Sequence, residues 1–80
     1  MTVRVLLFAS YADAIGSPEL TLDVPDGARV SDVVERLRLL PGADRLPPAP
    51  LVAVNAVYAA AGSALAPGDE VAIIPPVAGG

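Results

Sequence analysis

The sequence has 80 residues, of which 54% are hydrophobic, with a formal net charge of −4 and neither cysteine nor histidine. It predicts one domain that buries only about 60–65% of its unfolded surface, and its excess of apolar residues suggests that a partner covers some of them. Without cysteine and histidine, disulfides, thiol nucleophiles, imidazole bases and the usual zinc ligands are excluded, so we expect no metal, no tightly bound cofactor and no catalysis by the chain alone. Nine acidic against five basic residues argue against nucleic acid.

The first part of the sequence predicts two strands separated by a short helical turn. Residues 2–8 alternate but are largely apolar on both faces, which favours a strand in the middle of its sheet. Because Met1-Thr2-Val3-Arg4 leads straight into this strand rather than into a signal peptide, and no apolar run approaches the ~20 residues that cross a bilayer, we expect a cytoplasmic protein without membrane contact. Ser10 is the predicted N-cap of the helical turn, and Gly16 is expected to end it. Residues 19–24 alternate as a half-buried strand.

One substantial helix is predicted after the turn Pro25-Asp26-Gly27. Its apolar residues recur at helical spacing and are expected to face the core: Val30, Val33, Val34, Leu37 and Leu40. Ser31 is the predicted N-cap, with Asp32 at the positive end of the helix dipole. Pro41-Gly42 should end the helix.

The second half predicts a proline-rich connection followed by three strands. Residues 51–54 form the first strand, Asn55 suits the positive φ of a tight turn, and residues 57–59 form a short return strand. Residues 71–74 are a branched apolar run typical of a buried strand. This element order favours an α+β fold in which a mixed sheet wraps around one main helix, although pattern alone leaves an α+β roll of another topology open. We expect residues 1–74 to form the domain and residues 75–80 an extended tail.

The tail Pro75-Pro76-Val77-Ala78-Gly79-Gly80 carries the candidate chemistry. Its two prolines cannot donate to the sheet and favour an extended path, so six residues of about 3.3 Å each reach roughly 20 Å from the domain. Glycine leaves the terminal carboxylate without a neighbouring Cβ. An ionised α-carboxylate can attack the α-phosphate of ATP, giving an acyl-adenylate that a sulfur nucleophile can displace. The alternative is a frayed end that stops at Gly-Gly by chance.

Gly68-Asp69-Glu70-Val71 followed by this tail resembles the small subunits of molybdopterin synthase, which are β-grasp, ubiquitin-like sulfur carriers. Val52-Ala53-Val54-Asn55 also matches the central strand and turn of that family. Near Phe8 the family often has Arg or Leu followed by Glu, whereas this chain has Ala12-Asp13. The resemblance implies that Gly80 is adenylated by a separate ATP-dependent activating enzyme and converted to a thiocarboxylate, as the sulfur-donating and non-catalytic part of a sulfurtransferase.

The resemblance further implies a heterotetramer with the large subunit of molybdopterin synthase, which would hold the catalytic residues and transfer the sulfur to a cyclic pyranopterin precursor. The tail residues that would give access to that active site are Gly79, Ala78, Val77, Pro76 and Pro75. Apolar groups beside the last strand would form the surface that docks on the large subunit. Three alternatives stay open: a sulfur carrier of the thiamine pathway, a ubiquitin-like modifier of lysines, and a non-covalent interaction domain. All five basic residues are arginines, so the chain cannot accept an isopeptide bond on its own side chains.

Overall fold

The computed structural model describes residues 1–76, and the four that follow lie outside the described residues. The elements in chain order are β1 (Thr2–Leu7), α1 (Ala9–Ile15), β2 (Glu19–Asp23), α2 (Val30–Leu37), a 3-10 helix (Ala43–Arg45), β3 (Leu51–Val54), β4 (Val57–Ala59) and β5 (Glu70–Ile74). Within residues 1–76 no helix has the length and apolar character needed to cross a membrane.

The strands form one mixed sheet in the order β2-β1-β5-β3-β4. β1 runs parallel to β5, and the other three neighbouring pairs are antiparallel. The prediction that β1 is paired on both sides is therefore confirmed, as is the mixed sheet packed on one main helix. β1 and β5 are neighbours in the sheet although their first paired residues, Arg4 and Glu70, are 66 residues apart in the sequence.

The core lies between the sheet and α2. The face of the sheet that points toward α2, called the inner face below, contributes these buried residues: Val3, Val5, Leu7, Val52, Val71 and Ile73. From α2, Val30, Val33 and Leu37 are buried and Val34 is half-buried against the same cluster. Leu40 is also half-buried there but lies beyond the helix, which ends at Leu37 and not at the predicted Pro41-Gly42, because the next N–H groups donate to carbonyls three residues back in a tighter turn. The predicted apolar stripe of the helix therefore does face the core.

The start of α2 differs from its prediction. Its N-cap is Arg29 rather than Ser31, and the Asp32 carboxylate accepts a hydrogen bond of 2.8 Å from the backbone N–H of Arg29. The physical reason is tertiary: the N–H groups of Val30 and Ser31 donate to the carbonyls of Ser63 and Ala61, so a neighbouring segment satisfies donors that a side-chain cap would otherwise bind.

The start of α1 also differs, since its N-cap is Phe8 and not Ser10, with no side-chain hydrogen bond at the cap. The helix begins at Ala9, whose φ of 48° lies in the left-handed region. Its predicted end is confirmed: Gly16 has a φ of 96°, and its N–H donates to the Ala12 carbonyl at 2.8 Å. Glycine suits this position because it has no Cβ to clash in the left-handed conformation.

Leu37→Ala tests the core. Leu37 is fully buried, so we expect the substitution to lower the free energy of unfolding by about 2–5 kcal/mol. Leu39→Ala is the matched control, because Leu39 is 80% exposed and its loss should change stability by less than about 0.5 kcal/mol. Urea denaturation measures both, and equal losses would contradict the assignment of the core.

Candidate functional site

The base of the tail is anchored by β5. This strand is hydrogen-bonded on both sides, to β1 and to β3, and Val71 and Ile73 are completely buried. Its last pair joins Ile74 to Leu51. Pro75 is half-buried and Pro76 is exposed, and neither has an N–H with which to continue the ladder. The backbone therefore leaves the sheet from a rigid position in its middle.

Two of the six predicted site residues, Pro75 and Pro76, are thus placed directly after β5. The other four, Val77, Ala78, Gly79 and Gly80, lie outside the described residues. Their roles in access and in sulfur chemistry stay predictions.

The beginning of β5 is fixed by a hydrogen-bonded network around Asn55. The Asn55 side chain accepts from the Glu70 N–H and donates to the Asp69 carboxylate, each at 3.0 Å, while its own N–H donates to the Glu70 carbonyl at 2.8 Å. The predicted positive φ of Asn55 is confirmed at 49°. Because this turn residue binds both Asp69 and Glu70, it fixes the register in which β5 enters the sheet.

The pKa of Asp69 is lowered from its ordinary value by two hydrogen bonds. A hydrogen bond from the backbone N–H of Ala66, and a second from the Asn55 amide, hold the pKa of Asp69 below 3.8 and outweigh the small effect of burial. Both bonds favour the ionised carboxylate. The network at the start of β5 therefore depends on Asp69 carrying its charge.

The face of the sheet opposite α2, called the outer face below, is charged at the end where β5 begins. Arg4 lies between two carboxylates, with Nε 2.9 Å from Glu19 and Nη2 3.2 Å from Glu70. These side chains are 38–52% exposed, so solvent screens the ion pairs and they contribute little to stability. They mark the polar border of this face.

Toward the tail the outer face becomes apolar. One row of paired neighbours crosses four strands of the sheet and consists of Leu6, Ala72, Ala53 and Tyr58. In the next row, Leu51 pairs with Ile74. We call these six residues the outer apolar surface. Leu51 is 50% exposed and Tyr58 70% exposed, whereas the two alanines between the taller side chains are nearly buried. Phe8, which follows β1 in extended conformation, is a further exposed apolar residue at 43%.

The sequence predicts exposed apolar groups beside the last strand, and the outer apolar surface lies there. The sequence alone did not identify which residues form it. The alternation in β3 was a usable signal, since Val52 faces the core and therefore puts Leu51 and Ala53 on the other face. Among residues 1–76, no group of carboxylates is arranged to hold a metal ion. The described residues of the site therefore form an apolar surface next to Pro75 and Pro76.

The sequence is similar to those of known proteins. Residues 5–80 match the ThiS family. The molybdopterin synthase sulfur carrier subunit of Chlamydomonas reinhardtii is 36% identical over 83 residues, which cover 100% of both chains.

Solved structures are also similar. SAMP1 from Haloferax volcanii, a small archaeal modifier protein, has a TM-score of 0.88 and 34% identity, covering 100% of both chains. A complex of subunits 1 and 2 of molybdopterin-converting factor from Helicobacter pylori includes a chain with a TM-score of 0.74 and 22% identity, covering 100% of both chains. At 22% identity, the similarity to the Helicobacter pylori chain shows only that the two proteins share a fold.

Asp69→Asn tests the network at the start of β5 through its pH dependence. Because the pKa of Asp69 is depressed in the folded state, its contribution to stability is present above pH 3.8 and is lost as the pH falls through the lower folded value. We expect the wild type to be more stable than Asp69→Asn near neutral pH, with the difference shrinking on acidification. Denaturation curves at several pH values measure this, and a difference independent of pH would contradict it.

Proposed function

Because this chain belongs to the ThiS family, we propose that it is a sulfur carrier of molybdenum-cofactor biosynthesis. The observation that carries the proposal is the outer apolar surface, part of which lies on the strand that Pro75 and Pro76 directly follow. A surface of this kind suits a carrier that must dock on a partner while its end enters an active site.

The proposed chemistry takes place at Gly80. On an ATP-dependent activating enzyme, a carboxylate oxygen of Gly80 attacks the α-phosphorus of ATP and pyrophosphate leaves. Hydrosulfide then attacks the carbonyl carbon, a C–S bond forms, the bond from carbon to the AMP oxygen breaks, and the proton on sulfur passes to water, so that sulfur replaces one oxygen of the carboxylate. The use of ATP makes the cytoplasm the expected compartment.

The proposed partner in transfer is the large subunit of molybdopterin synthase. Its docking would cover Leu51, Tyr58 and Ile74, and residues 75–80 at about 3.3 Å each would carry Gly80 roughly 20 Å from β5. Pro75 and Pro76 restrict the path of the tail, which lowers the entropy lost when the tail is ordered in a channel. Two copies of each subunit would form a heterotetramer, and the large subunit would use the sulfur on a cyclic pyranopterin precursor.

A ubiquitin-like modifier is the second candidate, favoured by the likeness to SAMP1. Its chemistry begins with the same adenylate, but a lysine amine of another protein then displaces AMP. A sulfur carrier of the thiamine pathway differs only in its partner. Titration against a molybdopterin synthase large subunit and against a thiazole synthase separates the two pathways.

The carrier chemistry is tested by mass spectrometry. After co-expression with the activating enzyme, the intact mass should show one oxygen replaced by sulfur, located at Gly80. Gly79→Val, or one alanine added after Gly80, should abolish this product, because a side chain or a shift of about 3.3 Å displaces the reacting carboxylate. Unchanged melting temperatures would show that both variants fold. A sulfur found on another residue would contradict the proposal.

Leu51→Arg tests the docking surface. A charge placed in the outer apolar surface should weaken binding to the large subunit by about tenfold to a hundredfold, since a buried unpaired charge opposes association. Leu39→Arg is the matched control, because Leu39 is an exposed leucine outside this surface. Titration calorimetry measures both affinities, and a loss confined to Leu39→Arg would place the interface elsewhere.

A further inference from the structure

We infer that the edge strand β4 is an interface at which two copies of this chain pair with each other. Within residues 1–76, β4 is hydrogen-bonded to β3 on one side and lies at the end of the sheet. Its residues Val57 and Tyr58 are 68% and 70% exposed. An edge strand that exposes large apolar side chains is a template for a further strand unless charges or prolines protect it.

The two edges of the sheet differ in their charge. At one edge, β2 carries the exposed acidic side chains of Glu19 and Asp23. At the other edge, β4 lies in a segment, residues 46–68, in which every residue is uncharged. Two copies of β4 can therefore approach each other without bringing like charges together, whereas two copies of β2 cannot. The net charge of −4 arises outside this segment.

The backbone of β4 is complementary to a second copy of itself. Val54 and Val57 close a two-residue turn, so they form a hydrogen-bonded pair whose bonds run between β3 and β4. Because the bonding direction alternates along a strand, the N–H and C=O of Tyr58 point away from β3. In an antiparallel pair centred on Tyr58, the N–H of each copy donates to the Tyr58 carbonyl of the other, as two-fold symmetry requires.

The side chains of β4 are complementary in the same register. Val57 of one copy lies opposite Ala59 of the other, in a non-hydrogen-bonded pair whose side chains approach closely. Both residues point to the inner face, since they alternate with Tyr58. Ala59 lines a cavity of about 220 Å³, which is surrounded by nine uncharged residues, among them Val30, Val34, Pro50 and Val52. The exposed Val57 of each copy can therefore enter the cavity of the other.

Arg38 fixes one wall of this cavity. Its guanidinium donates to the carbonyl of Pro48 at 2.9 Å and to that of Leu46 at 3.3 Å, and it also bonds Pro47, so the proline-rich connection is held beside the end of α2. A cavity whose wall is already fixed loses little entropy when a side chain enters it. Two hydrogen bonds and two filled cavities make a small and transient interface.

Sedimentation velocity of the chain alone tests the inference, and its outcome is independent of the proposed function. Between about 10 µM and 1 mM, where small interfaces become populated, we expect the average mass to rise toward twice that of one chain. Val57→Lys should stay monomeric, because it would place a charge in an apolar cavity. Leu39→Lys is the matched control, since Leu39 is 80% exposed and lies outside residues 46–68, and it should associate as the wild type does.

Unchanged melting temperatures would show that both variants fold. A wild type that is monomeric at every concentration would overturn the inference, and so would a Val57→Lys variant that associates or a Leu39→Lys variant that does not. If the wild type stays monomeric while Val57→Lys weakens binding to a molybdopterin synthase large subunit, the edge belongs to that partner and the inference is overturned.

The register is tested by a disulfide across the two-fold axis. The chain has no cysteine, so Tyr58→Cys introduces a single thiol. In a hydrogen-bonded antiparallel pair the two Cα atoms lie about 5.5 Å apart, within the range of a disulfide. On mild oxidation with diamide, we expect Tyr58→Cys to form a covalent dimer about tenfold faster than the control Leu39→Cys, because pairing raises the effective concentration of the thiols. Equal rates would overturn the proposed pairing.

Discussion

The pairing of β5 with β1 on one side and β3 on the other is the interaction on which the rest of the structure depends. It joins the two ends of the chain, buries Val71 and Ile73 against α2, and sets the point from which the tail leaves. A shift of one residue would exchange the inner and outer faces of the strand, placing Ala72 in the core. The hydrogen bonds that the Asn55 side chain donates to Asp69 and accepts from the Glu70 N–H oppose such a shift at the strand's first residue.

β5 contributes residues to both faces of the sheet. Its inner residues belong to the core, while Ala72 and Ile74 lie in the outer apolar surface beside Leu51. The outer apolar surface has small residues at its centre and larger ones around them, and the charged group of Arg4, Glu19 and Glu70 lies at its border. Burying the outer surface on a partner would therefore leave the fold unchanged.

Much of the fold could be predicted because local patterns agree with it: the alternation of β2, the apolar stripe of α2 and the glycine that ends α1. The prediction for the start of α2 was wrong because residues far away in the sequence determine the structure there. Ser31 does not cap α2, because residues 61–63 supply the carbonyls for its first N–H groups. The outer apolar surface was predicted only in general terms, since its rows depend on which strands are neighbours. The chemistry of Gly80 was predicted from the tail's composition and the family resemblance, and it lies outside the described residues.

The most direct measurement of the central claim is a methyl NMR titration with a molybdopterin synthase large subunit. If β5 presents the tail and the outer apolar surface together, the methyl signals of Leu6, Leu51 and Ile74 should shift on binding. Those of Val33 and Leu37, on the opposite side of the sheet, should stay in place. Shifts centred on α2, with the three outer-face residues unaffected, would contradict the account.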